Sequence, residues 1–359
     1  MNASIRPRKS ASADARIVTP PHIAKLLVDL AAPRPADVIC DPAADGCELL
    51  AAAAESIRAE FPGMARDAAE LEHFRTRMFY AWGADKGAMR RTVARVLRTH
   101  GVDTKNFTGE NVLGCDPGDR YGAFTRVLGR LPFAGQREYA DTAKDVLKIV
   151  RTTRPELLLL ARIVQLLAVG GRAVVIVPER LLSGATKPHQ RLRSVLVESH
   201  KVEAVIALPA AAFMPLADEP TAILIFTRSD AGGTEYVWFY DVVADGVVSD
   251  ESRASAGPGP LPERSEHERN NLPDLLGRWR AMQGAAGARV ELDRPRSAQS
   301  FCVPKSEIAI QGYDLSISRY RVLAPARVES RRPHEILAEL AGLEAEIFQG
   351  MKDLVGMLK

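Results

Sequence analysis

The stretch RVLGRLPFAG, residues 126–135, combines a buried strand with a turn whose side chains could bind a flat molecule. Pro132 can shape the turn, and the ring of Phe133 can stack on a planar group. The backbone carbonyl of Leu131 can accept one hydrogen bond, whereas the guanidinium of Arg130 has five donors and no acceptor. These four residues predict a binding position for a planar group beside a permanent positive charge.

A second turn, DPAADG at residues 41–46, follows a short β-rich run. Glycines in such a turn let the backbone approach a ligand closely and turn its N–H groups toward an anion. Only Gly46 is present here, and Asp45, Cys47 and Glu48 add side chains around it. Two carboxylates so close to the turn should repel an anionic ligand, and the Cβ of Cys47 should fit poorly.

Acidic and amide side chains follow two other strand-like segments. Asp85 comes after one of them, and Glu110 with Asn111 comes after the next. A strand-end aspartate can bond the hydroxyls of a ribose, and the Glu-Asn pair can bond an amine. Taken alone, such an aspartate is more often a helix cap or a turn former.

Strand-like and helix-like segments alternate through the first 230 residues. The seven strand-like segments are residues 36–46, 77–86, 105–113, 123–133, 172–182, 202–209 and 219–228. Helices are predicted between them, including a long apolar one over residues 154–171. This alternation predicts a doubly wound, mostly parallel, seven-stranded α/β sheet. Ligands should bind at the carboxyl ends of its strands, where the two turns lie.

Four regions are predicted along the chain. They are a disordered basic arm (1–16), an α/β domain (17–230), a C-terminal extension (231–325) and a C-terminal helix (326–359). The extension is predicted to hold a strand at 235–242, a polar loop at about 250–272 and an irregular stretch at 301–321. The apolar stripe of the terminal helix is close to a heptad repeat. This helix therefore packs either on its own domain or against a partner helix.

The composition excludes some classes of protein. Of 359 residues, 46% are hydrophobic and 26% are charged, and the formal net charge is only +3. Any surface that binds a polyanion must therefore be local. The four cysteines have no paired spacing, and no apolar run is long enough to span a bilayer. We expect reduced thiols in a cytoplasmic protein, with no metal site and no membrane role.

Several segments, taken in order, resemble one family. VTPPHIAKLLVDL, DPAADGCEL, GADK and GEN resemble its cofactor motifs, and VWFYDVVADG and GYDLSISRYR resemble signatures beyond its catalytic domain. The family is the modification (M) subunits of type I restriction-modification systems, which are S-adenosylmethionine-dependent DNA adenine-N6 methyltransferases. The resemblance begins at about Ile17 and covers nearly the whole chain, without the family's amino-terminal helical domain. It implies a class I methyltransferase fold.

The resemblance also assigns roles to residues in these motifs. It implies that S-adenosylmethionine is bound by Thr19, Pro20, Asp41, Pro42, Asp45, Gly46, Asp85, Glu110 and Asn111. It places Arg130, Leu131, Pro132 and Phe133 at the family's catalytic Asn-Pro-Pro-Phe loop. In that loop two acceptors hold the hydrogens of the adenine amine, and the aromatic ring stacks on the flipped base.

The departures from the family pattern predict a loss of chemistry. Arg130 puts a cation where the family has an asparagine acceptor, and losing one such contact typically costs about 3–4 kcal/mol. We expect binding of S-adenosylmethionine to be weak or lost. The resulting hypothesis is a catalytically degenerate subunit for DNA binding or assembly. Two alternatives stay open: an active adenine methyltransferase with an unconventional loop, and an unrelated use of an α/β nucleotide-binding scaffold.

DNA and other subunits are the partners that the resemblance implies. Four basic clusters could contact phosphate, although most charge clusters are simply solvated. They are residues 151–154, 187–193 and 327–332, and Arg6, Arg8 and Lys9 in the arm. The C-terminal helix suits docking to a specificity subunit, to a second modification subunit or to another copy of the chain.

Overall fold

A computed structural model of the chain describes residues 18–44, 46–83, 97–133, 135–213, 219–246 and 266–322, together with Met351. Contacts between residues divide the chain into two compact units, Met1–Arg321 and Val322–Lys359. In the second unit, only Val322 and the exposed, helical Met351 are described. The predicted basic arm and nearly all of the predicted C-terminal helix therefore lie outside the described residues.

Nine strands form one sheet within the described residues. They are β1 (Ile39–Asp41), β2 (Phe79–Trp82), β3 (Phe107–Thr108), β4 (Phe124–Arg130), β5 (Leu167–Pro178), β6 (Lys201–Ala207), β7 (Thr221–Thr227), β8 (Tyr236–Asp241) and β9 (Ser300–Pro304). Their order across the sheet is β3-β2-β1-β4-β5-β7-β6-β8-β9. Only β7 and β9 run opposite to the other seven strands. The mostly parallel sheet predicted from the alternating segments is confirmed.

Helices connect and cover these strands. In the described residues they are α1 (Pro21–Ala31), α2 (Glu48–Glu60), α3 (Ala68–Thr76), α4 (Lys144–Ile149), α5 (Pro155–Leu166), α6 (Glu179–Ser183), α7 (Lys187–Ser199), α8 (Glu266–Arg269), α9 (Leu272–Met282), α10 (Ala285–Leu292), α11 (Lys305–Ile310) and α12 (Ile317–Tyr320). Apolar residues of α1, α2 and α9 pack on one face of the sheet, and those of α5 and α7 pack on the other. This two-sided packing makes the sheet doubly wound, as predicted.

The prediction of seven strands was too low, because the sheet continues past residue 230. β8 pairs in parallel with β6, and β9 pairs antiparallel with β8. Successive residues of a strand point to opposite faces, and in β8 both faces are covered. Trp238 lies 6.0 Å from Trp279 of α9, and Phe239 lies 5.4 Å from Tyr320 of α12, between ring centroids. The prediction that residues 301–321 are irregular was therefore wrong.

Two predicted boundaries also need correction. The helix predicted over 154–171 ends at Leu166, and β5 begins at once with Leu167. The apolar run in this region fits a buried strand as well as a helix, so periodicity alone could not separate them. The polar loop predicted at about 250–272 includes the helix Glu266–Arg269, while residues 247–265 lie outside the described residues.

Candidate functional site

The two turns singled out in the sequence lie side by side at the carboxyl edge of the sheet. β1 lies between β2 and β4, so the turn after Asp41 and the turn after Arg130 leave the sheet from adjacent strands. The contact is close at Gly129: a Cβ there would come within 3.5 Å of Pro42 Cδ and 3.8 Å of Asp41 Oδ1. The fold thus brings the predicted cofactor turn and the predicted catalytic turn together.

The first turn is held by its own aspartate and by strand β2. The Ala43 N–H donates to Asp41 Oδ1 over 3.0 Å, and the Ala44 N–H donates to the Trp82 carbonyl over 2.8 Å. Asp41 is buried, so its carboxylate acts here on the backbone of the turn. Asp45, also predicted in this turn, lies outside the described residues.

Cys47 keeps the backbone conformation expected of a glycine at the end of this turn. It has φ +60° and ψ +20°, and its side chain is buried. The left-handed region costs a residue with a Cβ about 1 kcal/mol or more, which is why glycine is favoured there. The prediction that a Cβ fits poorly at this position agrees with that strain, but the turn still forms.

The carboxylate of Glu48 lies across the same turn. Glu48 is the first residue of α2, and its Oε1 accepts a hydrogen bond of 2.9 Å from the Thr19 N–H. A Cβ added to Gly46 would collide with Glu48 Oε2. The carboxylate of Glu48 therefore lies between Thr19 and Gly46, two of the residues predicted to bind the cofactor. Pro20 follows Thr19 directly and leads into α1.

The position of Glu48 bears on the predicted contact with the methionine portion of S-adenosylmethionine. A ligand carboxylate needs close access to the backbone of such a turn and a positive or neutral surrounding. The negative carboxylate of Glu48 lies against Gly46, where the sequence predicts that it repels the ligand carboxylate. The sequence predicted the repulsion, and the structure adds that Glu48 is held in place by Thr19.

Only some of the residues predicted to contact the rest of the cofactor lie within the described ranges. Asp85 lies outside the described residues. Glu110 is exposed just after β3, and its N–H donates to Thr108 Oγ1 over 3.3 Å. Asn111 Oδ1 accepts from the Leu113 N–H over 3.0 Å, so this side chain closes a turn.

At the predicted catalytic turn, the aromatic ring is already covered by the protein. The Leu131 N–H donates to the Ile176 carbonyl over 2.8 Å, which extends the pairing of β4 with β5. Phe133 is only 8% exposed, and its ring meets the ring of Phe213 edge-on at 5.6 Å between centroids. The guanidinium carbon of Arg130 lies 5.4 Å from the centroid of the Phe133 ring.

A second arginine fixes this turn from outside it. Arg180, in α6 just after β5, donates to the Phe133 carbonyl. The same guanidinium donates to Glu156 Oε1 over 3.1 Å and pairs with Glu219. Glu156 is fully buried at the start of α5. Burial raises the pKa of Glu219, and the adjacent guanidinium opposes that shift.

Sequence reasoning missed this ion cluster of Arg180, Glu156 and Glu219. A weak signal was present, since Glu156 begins the apolar run ELLLLA, where a buried carboxylate requires a partner. The sequence could not identify that partner. Arg180 follows 24 residues later and Glu219 follows 39 residues after Arg180, so only the fold brings them together.

One predicted basic cluster, residues 151–154, borders the catalytic turn. The Arg137 N–H donates to the Thr153 carbonyl over 2.8 Å, which joins this cluster to the segment that follows Phe133. The guanidinium carbon of Arg151 lies 5.7 Å from the centroid of the exposed ring of Tyr139. The Arg154 side chain is 51% exposed and lies 4.0 Å from Glu156 Oε1. This part of the surface carries two exposed arginines and an aromatic ring, and the acidic residues Glu138 and Asp141 are exposed beside that ring.

Only some residues of the basic cluster at 187–193 are exposed. Arg193 is 2% exposed and donates to the carbonyls of Tyr313, Leu181 and Gly184. The interpretation of Arg193 as a phosphate contact is therefore wrong, because its guanidinium joins α7 to two other segments. The cluster at 327–332 and the arm residues Arg6, Arg8 and Lys9 lie outside the described residues.

The described residues contain neither a metal-binding cluster nor a membrane-spanning helix. Within the part of the chain that the structure describes, no three His, Cys, Asp or Glu side chains are grouped closely enough to hold a metal ion. Across the same ranges, no helix has both the length and the apolar character needed to span a membrane.

The strand order β3-β2-β1-β4-β5-β7-β6, with β7 reversed, defines the class I S-adenosylmethionine-dependent methyltransferase fold. Similar solved structures agree. The M protein of the type I restriction enzyme EcoKI superposes with a TM-score of 0.64 at 19% identity, covering 96% of this chain and 74% of that one. A type I restriction-modification methyltransferase subunit from Streptococcus thermophilus gives 0.60 at 17% identity, covering 85% and 59%. A type I restriction-modification complex gives 0.66 at 23%, covering 95% and 66%.

Sequence comparison places the chain in one family. The methylase subunit of the type I restriction enzyme EcoEI from Escherichia coli is 22% identical over 98% of this chain and 67% of its own length. The family model for N-6 DNA methylases matches residues 7–327. The chain belongs to the N-6 DNA methylase family, which confirms the resemblance predicted from its motifs. It spans about two thirds of the length of these first relatives.

Proposed function

We propose that this chain is a modification-subunit-like member of the N-6 DNA methylase family that no longer transfers methyl groups and acts by binding DNA and other subunits. The observation that carries the proposal is Arg130 at the end of β4. By the resemblance, Arg130 takes the position of the family's acceptor, and its guanidinium carbon lies 5.4 Å from the centroid of the Phe133 ring. An adenine amine there would meet a donor instead of a lone pair.

The surroundings of Arg130 support the same conclusion. Phe133, which would stack on a flipped base, is almost fully buried against Phe213. Its carbonyl already accepts a hydrogen bond from Arg180. Opening this turn for a base would therefore require breaking an aromatic contact and a charge-assisted hydrogen bond.

The proposed weakness or loss of S-adenosylmethionine binding is supported by the first turn. Glu48 places a carboxylate where the methionine carboxylate would come, and like charges brought together in an interface cost several kcal/mol. Glu110 is exposed at the same edge of the sheet, so contact with the adenosine portion is still compatible with the fold.

Binding to DNA is supported by the surface beside the catalytic turn. Arg151 and Arg154 are exposed there, and the Tyr139 ring is available for stacking. We propose that DNA is bound along this side of the molecule in the cytoplasm. Partners would be a specificity subunit, an active modification subunit or a second copy of this chain, bound through the C-terminal segment.

Two measurements on the purified protein test the proposal. Calorimetric titration with S-adenosylmethionine should give weak or undetectable binding. Assays of methyl transfer to mixed-sequence DNA, with any co-purifying subunit present, should give no product above a no-enzyme blank. Robust transfer by the protein alone would overturn the proposal in favour of an active methyltransferase with an unconventional loop.

A double variant tests which of the two turns prevents methyl transfer. Arg130→Asn with Leu131→Pro restores the family's residues in the catalytic turn. Recovery of methyl transfer would place the defect in that turn alone. We expect no recovery, because the first turn is also blocked by Glu48.

A further inference from the structure

We infer that Glu48 is an internal substitute for the ligand's carboxylate, and that it occupies an amino-acid-binding position that this fold would otherwise offer. The inference rests on the proposed function, because it takes the turn at Gly46 as a former cofactor turn. The occupant it predicts after removal of Glu48 is the amino-acid end of an S-adenosyl ligand. The argument depends on the start of α2, on Thr19 and on Gly46.

The start of α2 favours an anion. This helix runs for 13 residues, and its N-cap residue, Cys47, makes no hydrogen bond to it through its side chain. The first N–H groups of a helix lack partners within the helix and carry a partial positive charge. Glu48 is the acidic residue in the first turn, and it supplies negative charge at this point.

Thr19 supplies a second, independent polar contact. Its N–H donates to Glu48 Oε1 over 2.9 Å, although the two residues are 29 positions apart. The Thr19 hydroxyl is buried, and within the described ranges its oxygen has no hydrogen-bond partner. Buried polar atoms are usually satisfied, so this oxygen retains capacity for one more polar group. Thr19 thus supplies one N–H that Glu48 already uses and one buried hydroxyl oxygen for which no described group is a partner.

Gly46 sets how closely that group can approach. The turn has no side chain at this residue, and Glu48 Oε2 fills the space that a Cβ would take. The carboxylate therefore lies close to the backbone at Gly46, which is the kind of approach that a glycine permits to a bound carboxylate. A free amino acid end, with one carboxylate and one ammonium group, has the size and charge for the same contacts once Glu48 is gone.

Removing this carboxylate should open the position. We expect Glu48→Gln, which removes the charge, and Glu48→Gly, which also removes the side chain, to bind S-adenosylhomocysteine at least about tenfold more tightly than the unchanged protein. Adenosine lacks the amino-acid end, and its affinity should not change. Glu55→Gln is the matched control, because Glu55 is an exposed glutamate of the same helix.

Isothermal titration of the full chain with both ligands is the test. Tighter binding of S-adenosylhomocysteine by either Glu48 variant, without a change for adenosine, supports the inference. Equal affinities for the unchanged protein, both Glu48 variants and Glu55→Gln overturn it. Methyl transfer by the unchanged protein would instead refute the proposed function, and this is measured separately.

Thermal unfolding without ligand gives a second readout. Glu48→Gly should lower the unfolding temperature, because the Thr19 N–H loses its acceptor and the first turn of α2 loses its negative charge. Glu48→Gln keeps an oxygen acceptor and should unfold near the unchanged protein. If Glu48→Gly fails to fold, Glu48→Ala takes its place in the ligand test, because it also removes the carboxylate and frees the space beside Gly46. If Glu48→Gly unfolds at the same temperature as Glu55→Gln, Glu48 is not the internal anion.

Discussion

Arginine side chains surround the turn that follows β4, and each one presents only donors. Arg130 packs on the Phe133 ring, Arg180 binds the Phe133 carbonyl, and Arg154 is exposed close to Glu156. A guanidinium is charged at all ordinary pH values and cannot accept a hydrogen bond. At the scale of single residues, these arginines can fix the backbone of the turn by hydrogen bonds and can attract anions. They cannot accept a hydrogen bond from an amine.

Replacing Arg180 tests whether this cluster stabilises the fold. Arg180→Met keeps most of the side-chain volume but removes the guanidinium that hydrogen-bonds the buried Glu156, which then has only the more distant Arg154, 4.0 Å away. Breaking a buried pair typically costs about 3–5 kcal/mol, and we expect about 2–3 kcal/mol because the Arg180 side chain is 30% exposed. Urea unfolding at neutral pH measures the difference. The exposed Arg280→Met is the control, and a loss below about 0.5 kcal/mol would contradict the role.

Two buried histidines predict a dependence of stability on pH. Burial lowers the pKa of His189, with Arg193 adding to the shift, and burial also lowers the pKa of His200. The unfolded chain therefore binds protons at a higher pH than the folded chain. The contribution of both groups is fully present above their unfolded pKa, near 6.5, and is lost as pH falls through the folded pKa.

Urea unfolding between about pH 7.5 and pH 5.5 measures this dependence. The double variant His189→Gln/His200→Gln should lose less stability over that range than the unchanged protein. Glutamine does not titrate, so the difference between the two slopes isolates the histidines from the carboxylates. The exposed His267→Gln serves as the control. Parallel slopes for the double variant and the unchanged protein would disprove the assignment.

At the scale of elements, strands β8 and β9 are part of the sheet that carries the site. They are joined to α9 and α10 by Glu291, which accepts hydrogen bonds from Trp238 Nε1 over 2.8 Å and from Ser300 Oγ over 2.7 Å. Arg278 Nη1 donates to the same carboxylate over 2.8 Å. These partners hold the pKa of Glu291 below its ordinary value against the opposing effect of burial.

Truncation tests how far the folded unit extends. A chain that ends at residue 230 would lose β8 and expose the edge of β6, whose residues Val202, Val205 and Ile206 are buried. We expect it to aggregate or to unfold without cooperativity, since an apolar strand edge is a site of association. A chain that ends at Arg321 keeps the first compact unit and should unfold cooperatively. Circular dichroism in urea compares the two, and cooperative unfolding of the shorter chain would contradict this boundary.

At the scale of the whole molecule, a net charge of only +3 makes DNA binding depend on where the charges lie. Arg151 and Arg154 lie beside the catalytic turn, whereas Arg193 is internal. Lys187 and Arg191 of the second cluster are exposed, so the two basic clusters in the described ranges offer two exposed cations each. The cluster at 151–154 is the better candidate for phosphate contact because it lies beside the turn predicted to be catalytic.

The salt dependence of DNA binding tests this surface. Each phosphate contact contributes about 0.9 to the slope of log affinity against log salt concentration for duplex DNA. We expect Arg151→Ala with Arg154→Ala to reduce that slope by about 2. Fluorescence anisotropy with a labelled duplex at several salt concentrations measures it, with the exposed Arg280→Ala as the control. A slope equal to that of the unchanged protein would remove this cluster from the interface.

Much of the fold was accessible from local sequence patterns. Hydrophobic runs that are interrupted by glycine, proline and polar residues located β1 to β8. These strands could be recognised because a buried strand leaves a pattern of alternating or continuous apolar residues in a short stretch of sequence. The same patterns failed at Leu167, where a helix passes directly into a strand. They also failed at β9, whose residues Ser300–Pro304 become a strand only by pairing with β8.

The sequence by itself determined the chemical types at the candidate site: the guanidinium of Arg130, the one glycine of the first turn, Gly46, and the aromatic ring of Phe133 after a buried strand. Only the tertiary structure decided which partners these groups have. Glu48 lies against Gly46 and accepts a hydrogen bond from the Thr19 N–H. The Phe133 ring packs against Phe213, and the Phe133 carbonyl accepts a hydrogen bond from Arg180. Side-chain type is fixed by the chain alone, whereas contacts between residues tens of positions apart exist only once the strands are ordered in the sheet.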